Sequence, residues 1–151
     1  EQLTLSLKLN LTTSHNIARA IIGLAKRTHI IFLSSIYATK PTNSDLYSKS
    51  KSGKNTYKPY LYGATKAAVE KLACDLSTYL PKIQSRINVI SLGGVNLNIP
   101  NSFVEKYSEW SPQNCMICPD SILNLIKWLV LESPLELNGC ILKLDSGLSN
   151  I

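Results

Sequence analysis

The sequence predicts an α/β fold: a mostly parallel sheet with flanking helices. Three observations predict it. Short apolar runs at His29–Ser35 (HIIFLSS), Arg86–Ser91 (RINVIS) and Cys140–Leu144 read as strands, the first two as strands buried on both faces of a sheet. Stretches with helical spacing lie between them. Strands separated by helices call for crossover connections, and crossovers join parallel strands. At 151 residues and 44% apolar, the chain is read as one domain, 1–151, and its composition excludes disorder, a collagen-like repeat and a disulfide scaffold.

The elements follow in order. In 1–27 two patterns compete. Leu3, Leu5, Leu7, Leu9 and Leu11 alternate with polar residues, which by period alone indicates a strand; from Ile17 onward Ile17, Ile21 and Leu24, with Ala18, Ile22 and Ala25, have helical spacing. Lys40–Lys58 is polar, with Pro, Gly, Asn and Ser, and reads as a loop. Tyr62–Leu80 is rich in Ala, Leu and Lys and reads as a helix that Pro81 ends. Gly93-Gly94 make a turn after the second strand, and Ser102–Trp110 reads as a short helix. Pro119–Glu132 reads as a helix with Pro in its first turn and Ile122, Leu123, Ile126, Leu129 and Val130 at helical spacing.

Charge and cysteine content narrow the classes further. Sixteen basic and ten acidic residues give +6, and Lys40, Lys49, Lys51, Lys54 and Lys58 face a single acid, Asp45. That segment reads as a solvated loop, or as one that attracts an anion near a phosphate-bearing ligand. No RNA-binding motif or basic helical stripe accompanies it, so no nucleic-acid partner is expected. No apolar run approaches the roughly 20 residues a membrane helix needs, so no membrane partner is expected. No basic segment followed by an apolar one opens the chain, and a cytoplasmic location is the expectation. Four cysteines without such a leader do not imply disulfides, and Cys115-Met-Ile-Cys118 is a lone CxxC without a second close pair, so no metal site is expected.

Three features have the order needed for one site. Ser34-Ser35 close a strand at its carboxyl end, Tyr62 and Lys66 stand at i and i+4 near a helix start, and Gly93-Gly94 follow the next strand. In open α/β sheets ligands bind beyond the carboxyl ends of the strands, where all three converge. Residues four apart share a helix face, so the Lys66 ammonium can lie near the Tyr62 phenol. A fixed positive charge favours the phenolate and brings a phenol of ordinary pKa near 10 toward neutrality. A neighbouring serine hydroxyl can hold a carbonyl or alcohol against it. Such an assembly is an acid/base device for carbonyl–alcohol interconversion, with the hydride left to a cofactor.

The ordered set of Ser-Ser, YGATKAA, RINVISLGG and NGCILKLDSG resembles the short-chain dehydrogenase/reductase family, over Asn10 to Gly147. The resemblance implies an incomplete Rossmann-like, doubly wound parallel sheet, and a helix over 1–27. It implies a catalytic group of Asn10, Ser35, Tyr62 and Lys66. Tyr62 would exchange the proton, Lys66 would lower its pKa and bind the nicotinamide ribose, Ser35 would orient the substrate, and Asn10 would anchor a water in a proton relay. Tyr62, Lys66, Leu92, Gly93 and Val95 would contact NAD or NADP. The sequence departs from the family at Leu92, where a proline is usual, and at Leu97, where a threonine often binds the cofactor. The lysine-rich insertion and the NIPNSFVEKY segment resemble a bacterial subgroup that acts on sugars or nucleotide sugars.

No three of the seven glycines lie close enough for a Gly-rich phosphate loop. The resemblance therefore implies the carboxyl-terminal, catalytic part of such an enzyme, a single partial Rossmann-like domain, with the phosphate-binding unit preceding Glu1. It also implies a small-molecule carbonyl or alcohol substrate and a homo-oligomer. The alternative is a non-catalytic truncated or degenerate fragment serving only as an oligomerisation or interaction module.

Overall fold

The computed structural model describes residues 2–24, 26–47 and 60–151. The chain runs α1 (Gln2–Ser6), a π-helical turn (Leu7–Thr12), α2 (Thr13–Leu24), β1 (His29–Ser35), α3 (Tyr60–Leu76), β2 (Arg86–Leu92), α4 (Asn101–Trp110), α5 (Pro119–Leu131) and β3 (Ile141–Leu144). The three strands form one parallel sheet in the order β1-β2-β3. This is the α/β architecture that the alternation of apolar runs and helical stretches predicts. Most of the Lys40–Lys58 loop, including Lys49, Lys51, Lys54 and Lys58, lies outside the described residues. No helix among the described residues is long and apolar enough to cross a membrane.

The first segment is helical, so the alternating leucines do not make a strand. Leu5, Leu7 and Leu9 are all exposed, because a two-residue period scatters side chains around a helix instead of along one face. The helix widens at Leu7–Thr12, where the Thr13 N–H and hydroxyl both donate to the Lys8 carbonyl and the Ser14 hydroxyl donates to the Asn10 carbonyl. At the other expected boundary, α3 ends at Leu76 and not at Pro81. Ser77 Oγ and Thr78 Oγ1 donate to the Cys74 and Asp75 carbonyls and close the helix, and Pro81 opens a separate short turn, Leu80–Ile83.

One face of the sheet packs on α2 and α3. Ile30 and Phe32 of β1 and Ile87 and Val89 of β2 meet Ala18, Val69 and Ala73, with Leu80 closing the cluster. The other face carries Arg86, Asn88 and Ile90 and is linked to α5. The Arg86 guanidinium donates to the Leu129 carbonyl and the Ser133 hydroxyl, each at 3.1 Å, and to the Pro134 carbonyl. Asn88, fully buried, crosses the sheet's amino-terminal end. Its Nδ2 donates to the Leu137 carbonyl at 2.7 Å and to His29 Nε2 at 2.9 Å, and its Oδ1 accepts from Cys140 N at 3.0 Å. One amide thus joins β1, β2 and the approach to β3.

Candidate active site

Parallel register sets the site. Ser34 lies opposite Ser91 and Ser35 opposite Leu92, so the ends of β1 and β2 deliver Ser35 and Gly93 to one rim. The chain after Ser35 turns through Ile36–Ala38, and the first turn of α3 packs closely on that turn. Gly63 permits the approach: a Cβ there would sit inside van der Waals contact of the Tyr37 carbonyl oxygen. The missing side chain places its neighbour Tyr62 beside the strand end.

Ser35 has extended backbone and is buried, and its Oγ accepts from Tyr37 N at 3.3 Å. The same hydroxyl is hydrogen-bonded to the Tyr62 phenol. The Tyr37 ring meets Tyr62 edge-on at 6.5 Å and fixes the plane of its ring. Lys66, one turn along α3, donates from Nζ to the Leu33 carbonyl at 2.9 Å and lies 5.8 Å from the Tyr62 ring centroid.

The charge effect expected between Lys66 and Tyr62 is not found. Burial pushes the Tyr62 phenol above the ordinary tyrosine range, and the hydrogen bond with Ser35 draws it only part of the way back. Burial also lowers the Lys66 amine. The reason is placement: the amine is itself desolvated and faces a β1 carbonyl. Helical spacing puts two side chains on one face without fixing where their ends point.

Asn10 reaches α3 one turn from the phenol. Its Nδ2 donates to Thr65 Oγ1 at 2.9 Å, and that hydroxyl donates to the Tyr62 carbonyl at 2.9 Å. The π-helical turn projects Asn10 toward α3, and the buried Thr65 relays the contact to the backbone of Tyr62. Asn10 and Lys66 are therefore joined to the Tyr62 turn and do not line the cavity in front of it; Ser35 and Tyr62 do. Sequence reading missed Thr65, which carried no motif of its own.

That cavity, about 690 Å³, opens between the strand ends and α4, with Leu92, Gly93, Gly94 and Val95 along one side. Gly93 and Gly94 have no side chain because the protein fills the space itself. A Cβ on Gly94 would lie 2.6 Å from the Tyr107 ring, and one on Gly93 would lie 2.9 Å from Asp145 Cα. Tyr107 Oη accepts the Gly94 N–H. Tyr107, also missed from sequence, lies one turn after Phe103 on α4, a pairing visible as spacing but without sign of what it covers. Val95 pairs with Ile117 as a single parallel bridge, with Gly94 O accepting from Ile117 N at 2.8 Å and Asn96 N donating to Ile117 O at 2.9 Å. The Val95 N–H takes no partner among the described residues. Leu97 is 62% exposed and stands outside the cavity lining.

Among the described residues, the Lys66 amine, which spends one of its N–H groups on Leu33 and lies behind the cavity wall, and the Val95 amide on that wall keep donor capacity. Both suit the neutral carboxamide and hydroxyl groups of a nicotinamide riboside. Elsewhere, Cys115 and Cys118 are exposed, Cys115 Sγ lies 3.4 Å from Ser146 Oγ, and no group of three or more metal-ligating side chains occurs among the described residues.

No family model and no curated protein matches the sequence. Solved structures do match its fold. A short-chain dehydrogenase from Leptospira borgpetersenii with bound NAD+ superposes with a TM-score of 0.78 at 23% identity, over 95% of this chain and 54% of that one. An acetoin dehydrogenase from Salmonella typhimurium gives 0.74 at 18%, over 99% and 56%. A gluconate 5-dehydrogenase from Burkholderia cenocepacia in complex with NADP and tartrate gives 0.73 at 19%, over 96% and 55%. The chain therefore spans about half the length of these enzymes, and over that half it has the Rossmann-like fold of the short-chain dehydrogenases/reductases.

Proposed function

We propose that this chain carries the acid/base part of an NAD(P)-dependent oxidoreductase that interconverts a carbonyl and an alcohol. The hydrogen-bonded pair of Ser35 and Tyr62, at the mouth of a cavity edged by Gly93 and Val95, carries the reading. In the reducing direction the Tyr62 phenol gives its proton to the substrate oxygen, and in the oxidising direction it takes that proton back. Ser35 donates to the same oxygen and holds it within reach of the phenol. A bound nicotinamide would supply the hydride to the carbonyl carbon, or accept it from the alcohol carbon.

Lys66 and Val95 would hold the riboside and carboxamide through their spare N–H groups, and the backbone of Leu92 and Gly93 would form the adjoining wall. Asn10 acts through Thr65 to fix the turn that bears Tyr62, and it is a positioning residue on this reading. Burial keeps the phenol protonated at neutral pH, so the proton to be donated is present, while making it a weaker acid than an exposed phenol. Cofactor choice between NAD and NADP rests on the adenosine end, which these residues do not touch.

The test is Tyr62→Phe. NADH and NADPH are titrated by fluorescence, and turnover is followed at 340 nm. The expected result is a rate loss of about 10² to 10⁴ with cofactor affinity changed less than about twofold. A loss below about tenfold removes Tyr62 as the proton donor.

A further inference from the structure

The walls facing the proposed acid/base pair are aromatic and apolar. Phe103 and Tyr107, one turn apart on α4, stack with centroids 6.2 Å apart and planes 25° apart. Tyr47 meets Phe103 edge-on at 5.7 Å, and Ile99 and Met116 fill the space beside them. Among the described residues lining the cavity, none is charged.

On the side of Tyr37, Tyr47 and Tyr107 the polar atoms are engaged with one another, and the Val95 N–H on the opposite side is the spare donor assigned above to the cofactor. The Tyr37 and Tyr47 hydroxyls are hydrogen-bonded together, and Tyr107 Oη accepts from Gly94 N. Ser34 Oγ donates toward the Lys66 carbonyl at 3.4 Å. A ligand bearing many hydroxyls or a diphosphate would have to shed water in such a space without recovering its hydrogen bonds, at a cost of roughly 1–3 kcal/mol per unpaired group. A flat apolar ring loses little on leaving water. It gains about 25 cal/mol per Å² buried, with further gain from edge and face contacts to aromatic rings. A volume of about 690 Å³, shared with a nicotinamide along Gly93 and Val95, leaves room for one or two fused rings.

We propose that the cavity takes an uncharged, ring-bearing ketone or its alcohol, with Phe103, Tyr47 and Tyr107 gripping the ring while its oxygen meets Ser35 and Tyr62. The inference rests on the acid/base reading above for the position of the oxygen. It differs from the sugar or nucleotide-sugar substrate that the sequence resemblance implies.

The experiment is saturation-transfer NMR and calorimetric titration of the chain, with and without NADH, using 1-tetralone, D-glucose and UDP-glucose as probes. Saturable binding of 1-tetralone is expected, with no binding of either sugar at tenfold higher concentration. Phe103→Ala and Ile99→Asp should each weaken 1-tetralone by tenfold or more. Should Phe103→Ala lose its fold by circular dichroism, Ile99→Asp at the rim decides. Tighter binding of either sugar, no binding of 1-tetralone, or binding indifferent to the folded variants overturns the proposal. Saturable, variant-sensitive binding of 1-tetralone that gives no reduction by NADH or NADPH upholds the ring-binding cavity and counts against the acid/base reading instead.

Discussion

At the amino-terminal end of the sheet, Asn88, Arg86 and His29 hold carbonyls, amides and each other in a set of bonds that ties β1, β2, α5 and the approach to β3 together. At the carboxyl end, Ser35 and Tyr62 are hydrogen-bonded to each other beside an open cavity, with the Lys66 amine and the Val95 amide left with capacity. Both ends are polar, partly buried and bordered by a cavity, and they differ in how far their groups are paired. Reciprocal pairing satisfies the Asn88 amide on both its atoms and adds rigidity, while His29 Nδ1 is buried there without a hydrogen-bond partner among the described residues. Incomplete pairing near a cavity leaves donors that a substrate and cofactor can complete. Perturbed acidity alone does not distinguish the ends, since burial also lowers the pKa of His29.

The contrast is broken most sharply by exchanging one residue at each end. Tyr62→Phe should cut the reaction by about 10² to 10⁴ while the melting temperature stays close to wild type, because the ring remains packed against Tyr37. The pH profile sharpens the point. A phenol raised by burial stays protonated, so reduction should be flat from pH 6 to 9, whereas oxidation, which needs the phenolate, should climb with pH across that range. A plateau of the oxidation rate near pH 7 would show that Tyr62 is more acidic in the working complex than burial alone makes it.

Asn88→Leu is the converse. It leaves the Leu137 carbonyl, the Cys140 amide and His29 Nε2 without their shared partner in a fully buried position. The expected loss is about 3 kcal/mol in urea unfolding, with the residual folded protein binding cofactor and substrate as before. A neutral effect on unfolding would mean that the three partners find water.

Gly63→Ala tests the link between fold and site, because the close contact of α3 with the Tyr37 backbone positions Tyr62 against Ser35. The methyl group must displace α3 or the Ile36–Ala38 turn. A stability loss of about 1–3 kcal/mol is expected. The rate should fall further than stability alone requires, since a displacement of about 1 Å between reacting groups costs up to about a hundredfold. Unfolding and turnover measured on the same preparation separate the two.

Sequence made some of this legible and hid the rest for physical reasons. The three strands were readable as short apolar runs and α5 as a helical stripe, although β1 is not buried on both faces as expected, since Leu33 is 45% exposed. The alternation at Leu5, Leu7 and Leu9 misled because a local period carries no record of which leucines end up exposed. Ser35, Tyr62 and Gly93 could be assembled from order alone, since each follows or adjoins a strand's carboxyl end and parallel register brings those ends together. Spacing could not say that Lys66 turns to the Leu33 carbonyl, nor that Asn10 bonds to Thr65, because both depend on where side-chain ends find partners. The pairing of Tyr107 with Gly94 was hidden for the same reason: two bare glycines indicate a close neighbour and do not name it.

The smallest effect belongs to His29, and its sign follows from the bond at the quiet end of the sheet. Asn88 is held in one orientation, with Oδ1 on the Cys140 N–H and Nδ2 on the Leu137 carbonyl, so the amide presents an N–H to His29 Nε2. That nitrogen must accept and therefore carries no proton. Protonating His29 sets donor against donor, and burial and the nearby Arg86 charge already disfavour the cation. The folded pKa is thus below the unfolded value of 6.5, so the contribution to stability is present above that value and is lost as pH falls through the folded pKa. Unfolding midpoints measured from pH 7.5 down to pH 5 should decline, and His29→Gln, which does not titrate, should flatten the decline. An equal decline in the variant would move the acid sensitivity away from this end of the sheet.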